Sequence, residues 1–300
     1  MTVIACEKVS KAFHRQKALN DVSFKIRENT ITGVIGRNGA GKTTLLEMIA
    51  GLKKPTSGSI EVLGQNPFNN LFVSANSIFI DDLMAFPDSM NVDEILTMAA
   101  MFYPNWDEKI ARGLLNYFQI NEKQRHKHLS KGKTSTFNAI IGIASRCPVT
   151  IFDEPTTGMD ESVRRDFYRA LLKDYLEMPR TVLISSHHVN EIEDLLENLL
   201  LIHNGKVHLH ESMDEMKQYV IKVTGPVEAV REVTKGKLVL HEEGPTPNHQ
   251  TAVIRVDGSK IDERDWRNKG LKVTYATPGE VCVYLTQHQR GGIDDVYRRT

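Results

Sequence analysis

The sequence lacks an excess of charge of either sign, because 38 Lys and Arg residues stand against 38 Asp and Glu residues. A formal net charge of zero gives the chain no overall basic field, which argues against nucleic acid or anionic lipid as its main partner. Cysteine is scarce as well, with only Cys6, Cys147 and Cys282. Their odd number and wide spacing fit neither a metal site nor a disulfide framework, so we expect buried thiols in a reducing compartment.

Long apolar runs are also missing. The N-terminal MTVIACEKVS has no extended apolar stretch, so we do not expect it to act as a signal peptide. The run LLENLLLIH, residues 195–203, is interrupted by Glu and Asn. It falls well short of the roughly 20 apolar residues that a membrane-spanning helix needs. We therefore expect a soluble chain whose membrane role, if it has one, comes through a partner.

A glycine-rich loop is the most informative feature that is present. Residues 36–43, GRNGAGKT, fit the pattern G-x-x-x-x-G-K-[ST], with a β-branched segment before them and a helical spacing after them. Glycines let the backbone approach phosphate oxygens, and successive N–H groups at a helix start form an anion site. Lys42 would bring positive charge to the β- and γ-phosphates, and Thr43 a hydroxyl to Mg²⁺. The candidate nucleotide-binding residues of this phosphate loop are Gly36, Arg37, Asn38, Gly39, Ala40, Gly41, Lys42, Thr43 and Thr44.

An acidic pair follows a second buried-type strand. Asp153 ends the segment VTIF, and Glu154 comes directly after it. An Asp at a strand end beside a phosphate loop can hold Mg²⁺ through water. The neighbouring Glu154 is placed to orient or deprotonate an attacking water. Taken alone, such a pair would indicate a solvated turn, but the phosphate loop upstream favours the catalytic interpretation.

Strands and helices alternate over the first 210 residues, which predicts an α/β fold. The texture changes after Glu211, where YVIKV, KLVL, TAVIRV, LKVTY and VCVYL predict short strands, VEAVREV a helix and GPTPNHQ a loop. This pattern predicts a small α+β domain that begins near residue 215.

Three further segments carry a family resemblance. LSKG (129–132), which we call the signature segment, is similar to the signature of ABC transporter nucleotide-binding subunits. IFDEPTTGMD (151–160) resembles their Walker B strand and D-loop, and ISSHHVNEIE (184–193) resembles their switch-histidine segment. These segments occur in the family's order over about residues 2–215. The combination is highly specific, although LSKG alone would be weak.

The resemblance implies a P-loop NTPase core of the ABC type over residues 1–214, with a helical subdomain at about 88–145. Residues 215–300 would form the small α+β accessory domain. In this family two cores stack head to tail. ATP and Mg²⁺ lie between the phosphate loop of one core and the signature of the other.

The same resemblance implies roles for single residues. Ser130 and Gly132 would contact the γ-phosphate across the dimer, and Asp160 would belong to the D-loop that links the two sites. His187 would contact the γ-phosphate and the region of the catalytic water. Phe13 matches the aromatic side chain that stacks on adenine.

The chain departs from the family pattern at two places. In SIFIDDLMAFP, Asp82 takes the place of a Gln that senses Mg²⁺ and the membrane partner, so the implied Mg²⁺ set is Thr43, Asp82 and Asp153. The signature segment and its next residue read LSKGK, with Lys131 in place of a Gly and Lys133 in place of a Gln. Both departures put the rate and coupling of hydrolysis in question more than ATP binding.

The leading hypothesis is an ATP-hydrolysing subunit that powers a separate membrane permease, peripheral on the cytoplasmic face of the membrane and paired with a second ATPase subunit. LSKG and FYPNWDE (102–108) most resemble Gram-positive exporter ATPases of the bacitracin and antimicrobial-peptide resistance kind. The pattern leaves open the cargo, export against import, and a homodimer against a heterodimer.

Two alternatives differ in class from an active transport ATPase. The altered signature and Asp82 would suit a regulatory nucleotide-binding subunit with slow hydrolysis. An ABC-type ATPase acting on ribosomes or DNA is the other alternative. A single phosphate loop, the absence of a long heptad run and the neutral charge all argue against it.

Overall fold

The fold is taken from a computed structural model, which describes residues 1–246, 248–256 and 263–286. The chain divides into two compact units, Met1–His210 and Glu211–Thr300, and each is described by itself. The division lies close to the predicted boundary between residues 214 and 215. Among the described residues, no helix is both long and apolar enough to cross a bilayer.

The first unit combines a small antiparallel sheet, a larger mainly parallel sheet and helices. Its strands are β1 (Thr2–Phe13), β2 (Gln16–Arg27), β3 (Ile31–Ile35), β4 (Ser57–Val62), β5 (Ser77–Ile80), β6 (Val149–Asp153), β7 (Thr181–Ser186), β8 (Asn198–His203) and β9 (Lys206–Ser212). Its helices are α1 (Lys42–Ile49), α2 (Leu71–Ala75), α3 (Val92–Phe102), α4 (Glu108–Tyr117), α5 (Lys131–Ala144) and α6 (Glu161–Glu177). Short 3-10 turns occupy His126–His128, Val189–Glu191 and Glu193–Leu195.

The larger sheet positions the candidate site. Its strand order is β5-β6-β7-β3-β8-β9, and the pairs from β5 through β8 are parallel. Every residue of β3, β6 and β7 is buried, as expected for strands covered on both faces. Parallel strands present their carboxyl ends at one edge, so the loops after β3, β5, β6 and β7 come together there. The phosphate loop, the acidic pair and His187 all lie on these loops.

The smaller sheet has the order β2-β1-β4 and is antiparallel. Alternate residues Val22, Phe24 and Ile26 of β2 are buried, which explains why this segment reads as a strand. They join the main hydrophobic core, which also contains Ile4, Leu19, Val34, Leu45, Ile151 and Leu183.

The helical region between residues 92 and 144 begins with a capping box. The side chain of Asn91 accepts from the N–H of Glu94, and the Glu94 carboxylate accepts from the N–H of Asn91. A buried ionic network ties this region to α6. Arg146 lies 3.0 Å from Asp107 and 2.7 Å from Asp174, and the second oxygen of Asp174 lies 2.7 Å from Arg180. Removing one partner of such a network would leave a buried charge uncompensated.

The second unit contains one four-stranded antiparallel sheet with the order β11-β12-β10-β13. Its elements are α7 (Met213–Tyr219), β10 (Val220–Pro226), α8 (Val227–Thr234), β11 (Val239–Thr246), β12 (His249–Arg255), α9 (Glu263–Asn268), β13 (Lys272–Tyr275) and α10 (Pro278–Thr286). From β10 to β13 the succession is β-α-β-β-α-β, a ferredoxin-like arrangement. Its core contains Ile221, Val223, Val230, Ala252, Ile254 and Trp266.

Two predictions for the second unit are wrong in detail. VCVYL, predicted as a strand, lies in helix α10. The Thr277 hydroxyl accepts from the N–H of Glu280 while the Glu280 carboxylate accepts from the N–H of Thr277, so a helix start overrides the β propensity of the valines. The predicted loop GPTPNHQ is too long, because β11 runs to Thr246 and β12 begins at His249. Pro247 lies outside the described residues.

The expectation that the cysteines are buried is confirmed. Cys6, Cys147 and Cys282 are all free and buried. Burial raises the pKa of Cys6 to about 12 and that of Cys147 to about 11. Thiols with pKa values this high are poor nucleophiles at neutral pH.

Candidate functional site

The phosphate loop lies between the end of β3 and the start of α1, as predicted. A Cβ on Gly36 would lie 2.3 Å from the carbonyl oxygen of Ile202, so only glycine fits there. Gly41 caps the helix with a φ of 106°, and a Cβ there would lie 2.7 Å from the carbonyl oxygen of Ala18. The first N–H groups of α1 have no partner within the helix and point toward the loop. This backbone cradle suits an anion.

The side chain of Lys42 reaches back across the phosphate loop to Gly36. Its residue is only 5% exposed, and its ammonium donates to the carbonyl of Gly36 at 2.8 Å. The same Nζ lies 3.1 Å from Oε1 of Glu154. Oε1 is buried and has no hydrogen bond of good geometry, so the contact is an ion pair without a directed bond. Lys42 is therefore held by the acid that the sequence predicts to be catalytic.

Asp153 stands where β6 ends. Its residue is 5% exposed, and it accepts hydrogen bonds from the hydroxyls of Ser185 and Thr43. Burial raises the pKa of the Asp153 carboxyl, whereas these two hydrogen bonds act in the opposite direction. A buried carboxylate next to a hydroxyl offers oxygen ligands of the type that Mg²⁺ prefers.

Glu154 is held in an unusual backbone conformation. Its φ is 48°, in the left-handed region that non-glycine residues rarely adopt. The N–H of Glu154 donates to the Ser185 hydroxyl at 2.8 Å, and Oε2 lies 2.8 Å from Nδ1 of His187. Such local strain concentrates at functional sites, where it holds a side chain in its working position. The neighbouring His188 packs its ring 4.0 Å from the ring of His187, measured between centroids.

The loop after β5 carries two consecutive carboxylates, and we call residues 81–84 the acidic loop. Asp81 accepts from the N–H of Leu83 at 3.1 Å, and the charge of Asp153 contributes to the raised pKa of Asp81 after burial and Asp82. Asp82 is half exposed, and its Oδ2 lies 3.9 Å from Nζ of Lys131. The structure thus relates Asp81 to the acid at the end of β6 and Asp82 to the signature segment.

The signature segment begins α5. Ser130 is the N-cap, with its hydroxyl 3.4 Å from the N–H of Lys133. A Cβ on Gly132 would lie 2.5 Å from the carbonyl oxygen of Gly158, so the helix start packs directly on the backbone of the loop before Asp160. Asp160 is the N-cap residue of α6, and its side chain makes no capping bond there. The Ser130 and Asp160 side chains are both exposed.

Phe13 ends β1 and is 42% exposed. The ammonium groups of Lys11 and Lys53 lie 5.3 Å and 5.5 Å from its ring centroid. An exposed aromatic face with cations beside it suits a stacked base whose phosphates carry negative charge.

Sequence reasoning missed two residues of this site. Ser185 donates to Asp153 and accepts from the N–H of Glu154, so it joins the two acids. Its signal was its place near the carboxyl end of the strand beside β6. Asn138 is completely buried in α5 and donates to the carbonyls of Asp81 and Met84 at 3.4 Å each. No pattern in the sequence indicates that contact.

The residues present fit a nucleoside triphosphate with Mg²⁺. A Cβ at Gly36 or Gly41 would clash with the backbone packed behind the loop, so glycine alone allows this loop conformation, and the first turn of α1 supplies N–H donors. Lys42 supplies positive charge, and Thr43 with Asp153 supplies oxygen ligands. Glu154 and His187 stand on the other side of that position as a hydrogen-bonded pair. The assembled groups are suited to hydrolysis of a phosphoanhydride.

Comparisons with known proteins agree with this chemistry. Residues 19–157 match the family model described as ABC transporter. The ABC transporter ATP-binding protein YtrB of Bacillus subtilis is 28% identical over 221 residues, which span 74% of this chain and 76% of YtrB. The bacitracin transport ATP-binding protein BcrA of Bacillus licheniformis is 28% identical over 241 residues, which span 72% of each chain.

Solved structures show the same fold. The structure of an ATP-binding subunit of an ABC transporter superposes with a TM-score of 0.65 at 23% identity, covering 72% of this chain and 92% of that one. The dimeric ATP-binding cassette MJ0796, bound to ADP and phosphate, gives a TM-score of 0.62 at 20% identity, covering 70% of this chain and 98% of that one.

Proposed function

This chain carries an ABC transporter ATP-binding domain, and on that premise we propose that it hydrolyses ATP to drive a separate membrane permease. The observation that carries the proposal is the meeting of Lys42, Asp153, Glu154 and His187 at one edge of the parallel sheet. Bound Mg²⁺, which Thr43 and Asp153 would hold, would offset the negative charge of the phosphates.

Each residue then has a defined task. Lys42 exchanges Glu154 for the β- and γ-phosphates when the nucleotide enters, because phosphate carries more negative charge than one carboxylate. Thr43 and Asp153 would hold the metal through their side-chain oxygens. Glu154, released from Lys42, orients the attacking water and accepts its proton. His187 keeps the Glu154 carboxylate in place through Nδ1 and contributes to binding the γ-phosphate.

The substitution Lys42→Ala tests the assigned phosphate site. We expect loss of detectable ATP turnover and at least tenfold weaker ATP binding, since no other described ammonium donates into the loop. Steady-state hydrolysis and titration with a fluorescent nucleotide measure the two effects. Lys109→Ala on the exposed face of α4 is the matched control and should behave like the unmodified chain. Full activity of Lys42→Ala would mean that the phosphate site is wrong.

A second ATPase subunit is part of the proposal. Ser130 and Gly132 begin α5 at the surface, where they are accessible to a nucleotide held by another chain. The cassette MJ0796, which shares this fold, was solved as a dimer. We propose that a second copy of this chain supplies its signature segment to complete the site. A different ATPase subunit in that position would show up as a distinct protein in the purified complex.

The partner in the membrane is proposed from exposed apolar side chains between residues 68 and 102. These are Phe68, Leu71, Phe72, Leu83, Met101 and Phe102, with exposures from 37% to 89%. Large apolar side chains at a surface are typical of protein contacts. The likeness to BcrA, named for bacitracin transport, favours an exporter of peptides, antibiotics or other amphipathic compounds. Purification of the tagged chain from gently solubilised membranes should recover a multi-span protein. Recovery with ribosomes or nucleic acid and no membrane protein would contradict the transport proposal.

A regulatory subunit with slow hydrolysis is the second candidate, favoured by one observation. Lys131 and Asp82 replace residues that the family uses beside the nucleotide, and they lie near each other in one chain. Turnover below that of typical ATPases, together with normal ATP binding, would support this reading.

A further inference from the structure

The two carboxylates of the acidic loop have different surroundings. Asp81 accepts from the N–H of Leu83 at 3.1 Å. Asp82 has a side chain that is 44% exposed, and its Oδ2 lies 3.9 Å from Nζ of Lys131. Consecutive residues in an irregular loop can thus serve two separate purposes.

Lys131 contacts two loops at once. It is the first residue of α5, and its side chain is 66% exposed. Its stem lies against Gly158, because a Cβ on Gly158 would meet Cγ of Lys131 at 3.1 Å and Cδ at 3.5 Å. Its ammonium extends to Asp82. Lys131 therefore connects the signature segment to the acidic loop and to the loop that precedes Asp160.

The positive charge at the start of α5 favours an anionic partner for Lys131. Lys131 and Lys133 both lie in the first turn, which contains no acidic residue. The N-terminal end of a helix carries partial positive charge, so cations there are unfavourable unless anions or acceptors balance them. Lys133 donates to the carbonyl of Gln119 at 3.0 Å, and Lys131 forms an ion pair with Asp82.

A buried contact fastens the acidic loop to the same helix. Asn138 is fully buried and donates to the carbonyls of Asp81 and Met84, while its Oδ1 lies 3.1 Å from Nε2 of His126. Because Asn138 lies seven positions after Lys131 on α5, the loop is held at two points along one helix. These two contacts join the acidic loop to the first and middle parts of α5.

We propose that Asp82 is a positioning residue for the signature segment and not a magnesium ligand. Its carboxylate holds Lys131, and the pair fixes the start of α5, with Ser130 and Gly132, relative to the acidic loop. The inference rests on the proposed ATP hydrolysis, because it assigns a role within that site.

A charge exchange tests the pair. The variants are Asp82→Lys, Lys131→Asp and the double exchange, with Asp82→Asn as an isosteric neutral form. We expect each single charge reversal to lower kcat by about threefold to fivefold, as fits a partly exposed ion pair. The double exchange should return kcat to within about twofold of the unmodified chain, because the opposite charges face each other again. The Mg²⁺ concentration for half-maximal activity should stay unchanged in all four variants.

A matched pair serves as control. Lys127 and Asp88 also form an exposed ion pair, at 2.8 Å, between the segment after the acidic loop and the 3-10 turn before the signature segment. Reversal of either charge there should change kcat by less than about twofold.

Two results would overturn the proposal. A tenfold or greater rise in the Mg²⁺ requirement of Asp82→Asn, with no recovery in the double exchange, would make Asp82 a metal-binding residue. Single variants that match the unmodified chain would show that the pair has no role. If the unmodified chain has no ATPase activity, the proposed function itself is contradicted. That result differs from the two above, in which the unmodified chain is active and only the role of Asp82 fails.

Discussion

The candidate ATP site has two halves, the phosphate-loop side and the signature side. They differ in how completely a single chain builds them. On the phosphate-loop side, Lys42 and Asp153 are each 5% exposed, and Ser185 and His187 hold the acids by hydrogen bonds. On the signature side, Ser130 is exposed and its hydroxyl caps its own helix. The first half is an internal part of the fold. The second half is a surface that, in the proposed dimer, a nucleotide bound by another subunit would complete.

The two halves also differ in how their positive charge is balanced. Positive Lys42 is balanced by Glu154, so the proposed binding of ATP would replace one ion pair by another. The start of α5 carries two lysines and no acid in its first turn, so negative charge from outside is favourable there. From this difference we expect substitutions on the phosphate-loop side to lower kcat strongly and substitutions on the signature side to lower it by an intermediate amount.

After Lys42→Ala, the largest expected effect on turnover belongs to Glu154→Gln. The amide keeps the shape of the carboxylate but cannot accept a proton, so we expect kcat to fall by about 10²- to 10³-fold. ATP binding should be retained or tighter, because a negative charge near the phosphates is removed. Single-turnover hydrolysis and equilibrium nucleotide binding separate the two effects. Glu61→Gln on the exposed face of β4 is the control. Equal turnover in the two variants would remove Glu154 from the general-base role.

Sequence reasoning was well suited to the first half of the site. The phosphate loop and the acidic pair are local patterns, and each lies at the carboxyl end of a buried strand whose neighbours in the sheet are parallel. Ser185 escaped notice because its role depends on the pairing of β6 with β7, which brings it opposite Asp153. Asn138 escaped because it bonds backbone carbonyls more than fifty positions away. Contacts through space between distant segments leave no periodic signal.

The second unit was harder to predict for a different reason. Its strands are short, and the β-branched content of VCVYL gave the same signal as the true strands. The reciprocal bonds between Thr277 and Glu280 decided for a helix, and they span only three positions. Capping chemistry at 277–280 was therefore a readable signal that outweighs propensity in the segment that follows.

An intermediate effect is expected in the second half, for Gly132→Ala. The new methyl group would lie 2.5 Å from the carbonyl oxygen of Gly158, and backbone cannot move aside cheaply. We expect kcat to fall by about tenfold through a shifted signature segment, with ATP binding at the phosphate loop unchanged.

Gly113→Ala is a matched control for that substitution. Gly113 lies inside α4, and a Cβ there meets nothing within 4 Å. Alanine should raise the free energy of unfolding by about 0.5–1 kcal/mol and leave turnover unaltered. Thermal unfolding and hydrolysis rates give both comparisons. If Gly132→Ala behaves like Gly113→Ala, the packing of the signature segment does not matter for activity.

The smallest effect is expected for Phe13→Ala. The ring is 42% exposed and is assigned to stacking on the base, not to the chemical step. Its removal should therefore affect only the binding of the base. We expect the KM for ATP to rise by about threefold to tenfold with kcat unchanged, the range that loss of one stacking contact gives. Phe13→Tyr should preserve the KM. An unchanged KM in Phe13→Ala would show that adenine lies elsewhere.

The most direct test of the central claim is to mix two variants that are each inactive alone, Lys42→Ala and Gly132→Asp. In a head-to-tail pair, one of the two sites in a mixed dimer contains an intact phosphate loop and an intact signature segment. The composite site therefore predicts that mixing restores activity, to about a quarter of the unmodified level for random pairing. A mixture no more active than the sum of its components would contradict a site completed by a second copy of this chain.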